Sequence, residues 1–152
     1  MLAKSPEQNQ LNLFRPVLKQ IINPAHELSI LADKIPWKKI EDEFSDLYAD
    51  KGSPAKPIRL MAGLLALKQI FHISDEKVIM VWLQNPYFQY FCGEAEFQWQ
   101  RPCSRSDLFR FRQRIGENGV ALISGIVSGL YEKKSFLRRL YDWLRLSDNK
   151  QG

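Results

Sequence analysis

The sequence predicts an all-α fold, a compact multi-helix bundle with a helix-turn-helix-like trihelical unit, and three observations predict it. Apolar residues recur three and four apart through most of the chain, the spacing of one helical face. Asn and Ser residues, some followed by Pro, stand where one periodic segment gives way to the next, as helix starts require. No segment alternates apolar and polar residues at period two with β-branched side chains, so strands are not expected.

Each element can be justified in order. Residues 1–22, ending LFRPVLKQII, read as an N-terminal arm that becomes ordered only by packing on something. Asn23 before Pro24 is read as a helix start, because Asn caps free amides and Pro fits the first helical position. Leu28, Leu31 and Ile35 follow at helical spacing until Pro36 ends the element. Trp37, Ile40, Phe44, Leu47 and Tyr48 form the next stripe, and KGSPAK over 51–56 is a linker by composition. Pro57 then opens PIRLMAGLLALKQIF, apolar around most of its circumference and therefore central, with partners packed around it. Ser74 caps DEKVIMVWL, with Asp75 and Glu76 in the first turn, where the helix dipole favours anions. Asn85 and Pro86 start a short aromatic helix holding Tyr87, Phe88, Tyr90 and Phe91, and Gly93 stops it. These last three helices, over 57–71, 75–84 and 86–92, make up the trihelical unit. EAEFQWQRPC over 94–103 reads as a loop. Ser104 with Asp107 caps SRSDLFRFRQRI, Gly116 or Gly119 breaks that helix, and Val120 to Tyr131 outline another. Ser135 caps a last helix through Leu144, followed by a polar tail.

Composition excludes several classes. The chain has 152 residues, 45% of them hydrophobic and 26% charged, ordinary values for a folded domain. No apolar run approaches the roughly 20 residues of a bilayer span, and MLAKSPEQNQ lacks the apolar core of a secretory signal. A membrane partner is therefore not expected, and a cytoplasmic location is. Cys92 and Cys103 are the only cysteines and His26 and His72 the only histidines. They form no zinc-ligand spacing, and two free, partly buried thiols in a reducing compartment are expected. There is no Gly-rich dinucleotide or phosphate loop. Glu41, Asp42, Glu43, Asp46 and Asp50 crowd one helix and its end, where carboxylates diverge instead of converging on a metal. No catalytic residue, metal or cofactor is expected.

The charge is uneven. The formal net charge is +5. Residues 1–50 carry six basic and eight acidic side chains, residues 51–100 five and four, and residues 101–152 eleven and five. The excess therefore lies in the last third, a pattern suited to a polyanion such as nucleic acid. Arg101, Arg105, Arg110, Arg112 and Arg114 crowd into one short stretch. On a helical wheel Leu108, Phe111 and Ile115 fall within about 60° of each other as a core face. Ser106, Phe109, Arg110 and Gln113 occupy the far side, with Arg114 beside them, while Arg105 and Arg112 flank the apolar stripe. Arg110 and Gln113 suit base edges, and Arg105 and Arg112 suit phosphates. Arg138, Arg139, Lys133, Lys134 and Arg145 add charge further on.

The stretches NPAHELSILADKIPWKKIEDEFSDLY, SPAKPIRLMAGLLALKQIFHISDEKVIMVWLQNPYFQYFCG and FQWQRPCSRSDLFRFRQRIGENG, in this order, resemble the N-terminal region of bacterial insertion-sequence transposases of the IS5 type, including their IS1182-like relatives. The matching runs extend over most of residues 5–130. The resemblance implies a helical DNA-end-binding domain placed before a ribonuclease-H-like domain whose Asp-Asp-Glu triad holds Mg²⁺. Up to Gly152 no strand pattern carries a first catalytic Asp, so a truncated or incomplete transposase, not itself an enzyme, is expected. The domains expected are an arm over 1–22, a DNA-binding domain over 23–134 and a basic helix with a polar tail over 135–152. The expected partner is double-stranded DNA, at terminal inverted repeats by the resemblance, together with further copies of itself or full-length transposase. The competing expectation is an oligomerisation or regulatory module that uses Tyr87 to Phe91 with Phe97 and Trp99 as a protein-binding surface.

Overall fold

The apolar segment after Pro57 forms the axis of the molecule. The computed structural model describes residues 15–47 and 56–132 and, by itself, Arg145. Among these residues it contains seven helices and no named strand: α1 (Leu18–Ile21), α2 (Glu27–Lys34), α3 (Trp37–Ser45), α4 (Ile58–Phe71), α5 (Asp75–Gln84), α6 (Pro86–Phe91) and α7 (Arg105–Glu132). The fold is all-α. From Leu60 to Leu67 every residue of α4 is buried, including Ala62 and Gly63. It packs against α3, α5 and α7, while α6 packs against α1, α2 and α5. An all-round apolar helix has no face to give to water, and this position is the one that satisfies it.

One close approach needs a particular residue. A methyl group at Gly63 would lie 2.7 Å from Cys92 Sγ and 3.1 Å from Cys92 Cα. The end of α6 can therefore press on α4 only while position 63 has no side chain. Cys92 and Cys103 are free and buried, and burial pushes the Cys92 thiol well above its ordinary range and the Cys103 thiol up to about 11.

The caps follow local chemistry. Ser74 Oγ accepts from the Lys77 amide at 3.1 Å. Asn85 Oδ1 accepts from the Tyr87 and Phe88 amides at 2.9 and 3.3 Å, with Pro86 in the first turn. The start of α2 differs from expectation. Asn23 and Pro24 form a turn in which Asn23 Oδ1 takes the Ala25 amide, and the helix begins at Glu27. His26 is the cap, its Nδ1 accepting from the Leu28 amide at 3.0 Å. The Tyr87 ring stacked 3.9 Å above it holds the imidazole in that role. Burial lowers the His26 pKa, which favours the neutral ring that a cap acceptor needs.

Residues 15–22 pack on the loop that follows α6. The Leu18 amide donates to Ala95 O at 2.9 Å and the Phe97 amide to Pro16 O at 2.9 Å, around an antiparallel bridge between Val17 and Glu96. The loop is held from inside by Gln89, which is fully buried. Gln89 Nε2 donates to Trp82 O at 3.1 Å and to Gln98 O at 3.0 Å, and Gln89 Oε1 accepts from the Gln98 amide at 2.7 Å. A buried amide bonded on both ends costs little to bury and fixes the loop's register.

Between α6 and α7 the chain leads into a reciprocal capping box. Ser104 Oγ accepts from the Asp107 amide at 3.0 Å, and Asp107 Oδ2 accepts from the Ser104 amide at 2.9 Å. Of the two glycines expected to break the helix, Gly116 makes the break. Its φ of 70° and ψ of −177° lie in a region that is essentially glycine's alone. Gly119 instead stays in the helix and lets it approach α3, since a methyl there would meet Phe44 Cε1 at 3.0 Å. The expected helix from Ser135 to Leu144, with Arg138 and Arg139, lies outside the described residues.

Candidate nucleic-acid interface

The arginine-rich half of α7, residues 105–115, is positioned by two of its sides. Leu108, Phe111 and Ile115 are buried as its core face. Phe111 meets Phe44 of α3 edge-on, with ring centroids 6.3 Å apart. The second side is ionic. Arg112 Nη1 and Nη2 donate to Asp75 Oδ1 and Oδ2 at 2.6 and 2.7 Å, a two-pronged bond from α7 to the first turn of α5. Lys68 Nζ of α4 reaches the same Asp75 Oδ1 at 2.8 Å. Asp75 thus joins three helices at one carboxylate. The Arg112 hydrogen bond, with help from Lys68 and against partial burial, holds the Asp75 carboxyl down at about 2. Arg112 in turn is raised above its ordinary value, chiefly by the same bond.

Arg105, on the same flank, lies 3.9 Å from Glu76 Oε2, with both side chains largely in solvent. The first turn of α5 therefore faces both flanking arginines. It grips Arg112 and touches Arg105 loosely. Arg101 lies outside the helix, exposed, its Nη2 donating to Met80 Sδ at 3.5 Å.

The remaining side faces water. Ser106, Phe109, Arg110, Gln113 and Arg114 are all exposed. Phe109 is 52% exposed and lines two open hollows. One, of about 640 Å³, is lined by Asp75, Arg105, Ser106 and Arg110 with the Phe109 ring. The other, of about 690 Å³, is lined by Arg112, Gln113, Gly116, Glu117, Val120 and Ala121, again with Phe109. The face expected from the helical wheel is thus brought together on one surface. Arg112 lies at its border with its guanidinium held by Asp75.

Chemistry of other kinds finds little footing among the described residues. No three His, Cys, Asp or Glu side chains are grouped so as to hold a metal ion. Asp42, Glu43 and Asp46 of α3 are exposed, and Asp42 pairs only loosely with Lys38, at 3.4 Å. No described helix is long and apolar enough to cross a membrane. The aromatic helix α6 is not the outward surface that its composition suggested. Phe88 and Phe91 are core residues, Phe88 stacked on Phe71 at 5.3 Å and Phe91 edge-on to Trp37 at 5.2 Å. The Tyr90 hydroxyl donates to Asp33 Oδ1 at 2.8 Å, and the Tyr87 hydroxyl accepts from the Asn23 amide at 2.9 Å. Of the aromatic residues expected to form that surface, Trp99 alone stands out in solvent, at 44% exposure, with Arg15 5.5 Å over its ring.

A family model described as a transposase domain (DUF772) matches residues 16–114. The chain belongs to this family of transposase domains. The match runs from the segment pairing with the 94–99 loop through the arginines of α7, so the domain and the exposed arginine face fall in one homologous unit. The transposase domain is also 41% identical over 120 residues to a protein of Rhizobium meliloti described as uncharacterized protein ORF8 in the nfe locus. The match takes in 79% of this chain and 58% of that protein's length. No solved structure was found to match it.

Three residues that hold the fold together carry roles that sequence reasoning missed. The sequence marks Asp75 only as a dipole partner, and nothing local points to a bond with a residue 37 positions away. Gln89 was one polar residue inside an aromatic motif, a signal in itself, since a buried amide must find partners. His26 caps a helix whose start the sequence places at Asn23 and Pro24.

Proposed function

We propose that this transposase domain binds double-stranded DNA at the ends of an insertion element, as the N-terminal module of a transposase of the IS5 type. The observation that carries the reading is the docking of residues 105–115. Their apolar side and Arg112 are held by the bundle, and Arg110 and Gln113 are left exposed side by side about one turn apart. A helix presented this way fits the major groove, where arginine pairs with guanine and glutamine with adenine. In this reading α4, α5 and α6 are the helix-turn-helix-like support, and Asp75 sets the angle at which α7 leaves it. Arg101, Arg105, Arg114, Arg138 and Arg139 contact phosphates. Arg112 contributes by holding the helix to α5.

The reading also assigns the domain to binding and not to strand transfer, which in the resembled transposases belongs to an Asp-Asp-Glu triad in a separate domain.

Fluorescence anisotropy with a duplex of the adjoining element ends and a scrambled duplex, at several salt concentrations, tests this. Arg110→Ala costs roughly 1–3 kcal/mol on the cognate duplex and relaxes specificity. Arg114→Ala weakens both duplexes alike and lowers the salt slope by roughly one. If every Arg→Ala variant in 101–114 binds both duplexes as the parent does, this face is not a DNA surface.

A further inference from the structure

We infer that Phe109 reads DNA sequence as well, its ring taking the 5-methyl group of a thymine in the major groove. The inference rests on the DNA-binding reading above and adds a residue that hydrogen-bond chemistry does not supply. Phe109 is the most exposed of the large apolar side chains described. It follows Leu108, a fully buried core residue, and precedes Arg110 and Gln113 on the outward face. Its side chain takes part in the lining of two open hollows, so an incoming surface can reach it.

The surroundings decide what that surface is. Arg105 and Arg110, both exposed, line one hollow together with the ring, so the partner is anionic. A second copy presenting this same face would bring arginine against arginine. A lipid surface wants a broad apolar face, and this ring stands between Ser106 and Gln113, both polar and exposed. Duplex DNA offers an anionic backbone with isolated methyl groups on the groove floor, and an apolar side chain in contact with thymine methyl is an established form of readout. Gln113 lies one helical turn beyond Phe109. A glutamine that takes adenine and a ring that takes the methyl of a nearby thymine together favour an A·T-containing step, with Arg110 beside them suited to guanine.

The test begins with the full chain selecting duplexes from a pool with a randomised core. Each thymine of the selected duplex is then replaced singly by deoxyuridine, which lacks only the methyl. One replacement should weaken the parent protein roughly fourfold, the factor expected for burying a single methyl. Phe109→Ala should bind the unmodified duplex at least that much more weakly and be blind to that replacement, while Phe109→Leu retains part of the response. The inference is overturned if every replaced duplex binds as the parent duplex does, if Phe109→Ala stays equally sensitive, or if the pool yields no preferred sequence. In those cases a loss with Arg110→Ala still upholds the DNA-binding reading. If Arg110→Ala and Phe109→Ala both bind the duplex as the parent does, both ideas fall. Loss of sedimentation with phosphatidylglycerol vesicles in Phe109→Ala, with DNA binding unchanged, also overturns it and points to a membrane surface.

Discussion

Helix α6 and the arginine half of α7 start alike and end in opposite uses. Each opens on a side-chain cap, Asn85 for one and the Ser104–Asp107 box for the other, and each mixes aromatic with polar residues. In α6 the polar atoms turn inward and find partners: Gln89 on Trp82 and Gln98, Tyr90 on Asp33, Tyr87 on Asn23. In residues 105–115 Arg112 is gripped in this way, whereas Ser106, Arg110 and Gln113 face water. Polar groups bonded inside a protein stabilise one arrangement of it. Polar groups left at the surface at regular spacing are available to something else. The contrast separates a helix that spends its polar groups on the fold from one that leaves several of them at the surface, without reference to either one's composition.

The sharpest way to break the contrast is to remove a glutamine from each. Gln89→Ala removes a partner from the Trp82 and Gln98 carbonyls and from the Gln98 amide and opens a cavity in the core, and should cost roughly 3 kcal/mol in urea denaturation. Gln113→Ala should stay within about 0.5 kcal/mol of the parent. Equal effects would remove the distinction.

The joint between the two regions comes next. Asp75 has a folded pKa of about 2 against an ordinary 3.8. A depressed carboxylate stabilises the fold fully above the unfolded value, and the contribution is lost as pH falls through the folded value. The protein should therefore lose about 2 kcal/mol between roughly pH 4 and pH 2 from this group. Asp75→Asn should be weaker at neutral pH and lack that part of the acid loss. Denaturation curves for both proteins across this range test it.

How much of this was legible follows from distance along the chain. The caps at Ser74, Asn85 and Ser104 depend on residues two or three positions away, and they are where the sequence places them. The central helix was legible because eight consecutive buried positions admit few other readings. The exposed arc of 105–115 came from the wheel alone, since the core stripe Leu108, Phe111 and Ile115 fixes which side is left over. The cap at His26 was misread because it depends on Tyr87, far along the chain, stacking on the imidazole. The bond from Arg112 to Asp75 was not legible because the acidic partner belongs to another helix. Long-range polar pairs leave no periodic trace.

Two smaller effects sharpen the picture. Gly116→Ala should cost roughly 1 kcal/mol in thermal denaturation, from backbone strain alone, because nothing lies within 4 Å of the added methyl. Arg105→Ala should change stability by less than about 0.5 kcal/mol, its pair with Glu76 being long and in solvent. Its effect belongs in the DNA titration, as an equal weakening on specific and scrambled duplexes. A large stability loss would instead make Arg105 a second Arg112.

The break at Gly116 also divides α7 in time. Helical order propagates one residue at a time along an unbroken ladder of amide bonds, and fraying travels back along the same ladder. A residue with non-helical angles interrupts it. Residues 117–132 include Gly119, Gly125 and Gly129, each a poor helix former. Opening that begins there is expected to stop at Gly116, so amide hydrogens of 109–115 should exchange orders of magnitude more slowly than those near residue 130. The arginine face then keeps its shape while the far half of the helix opens and closes beside it.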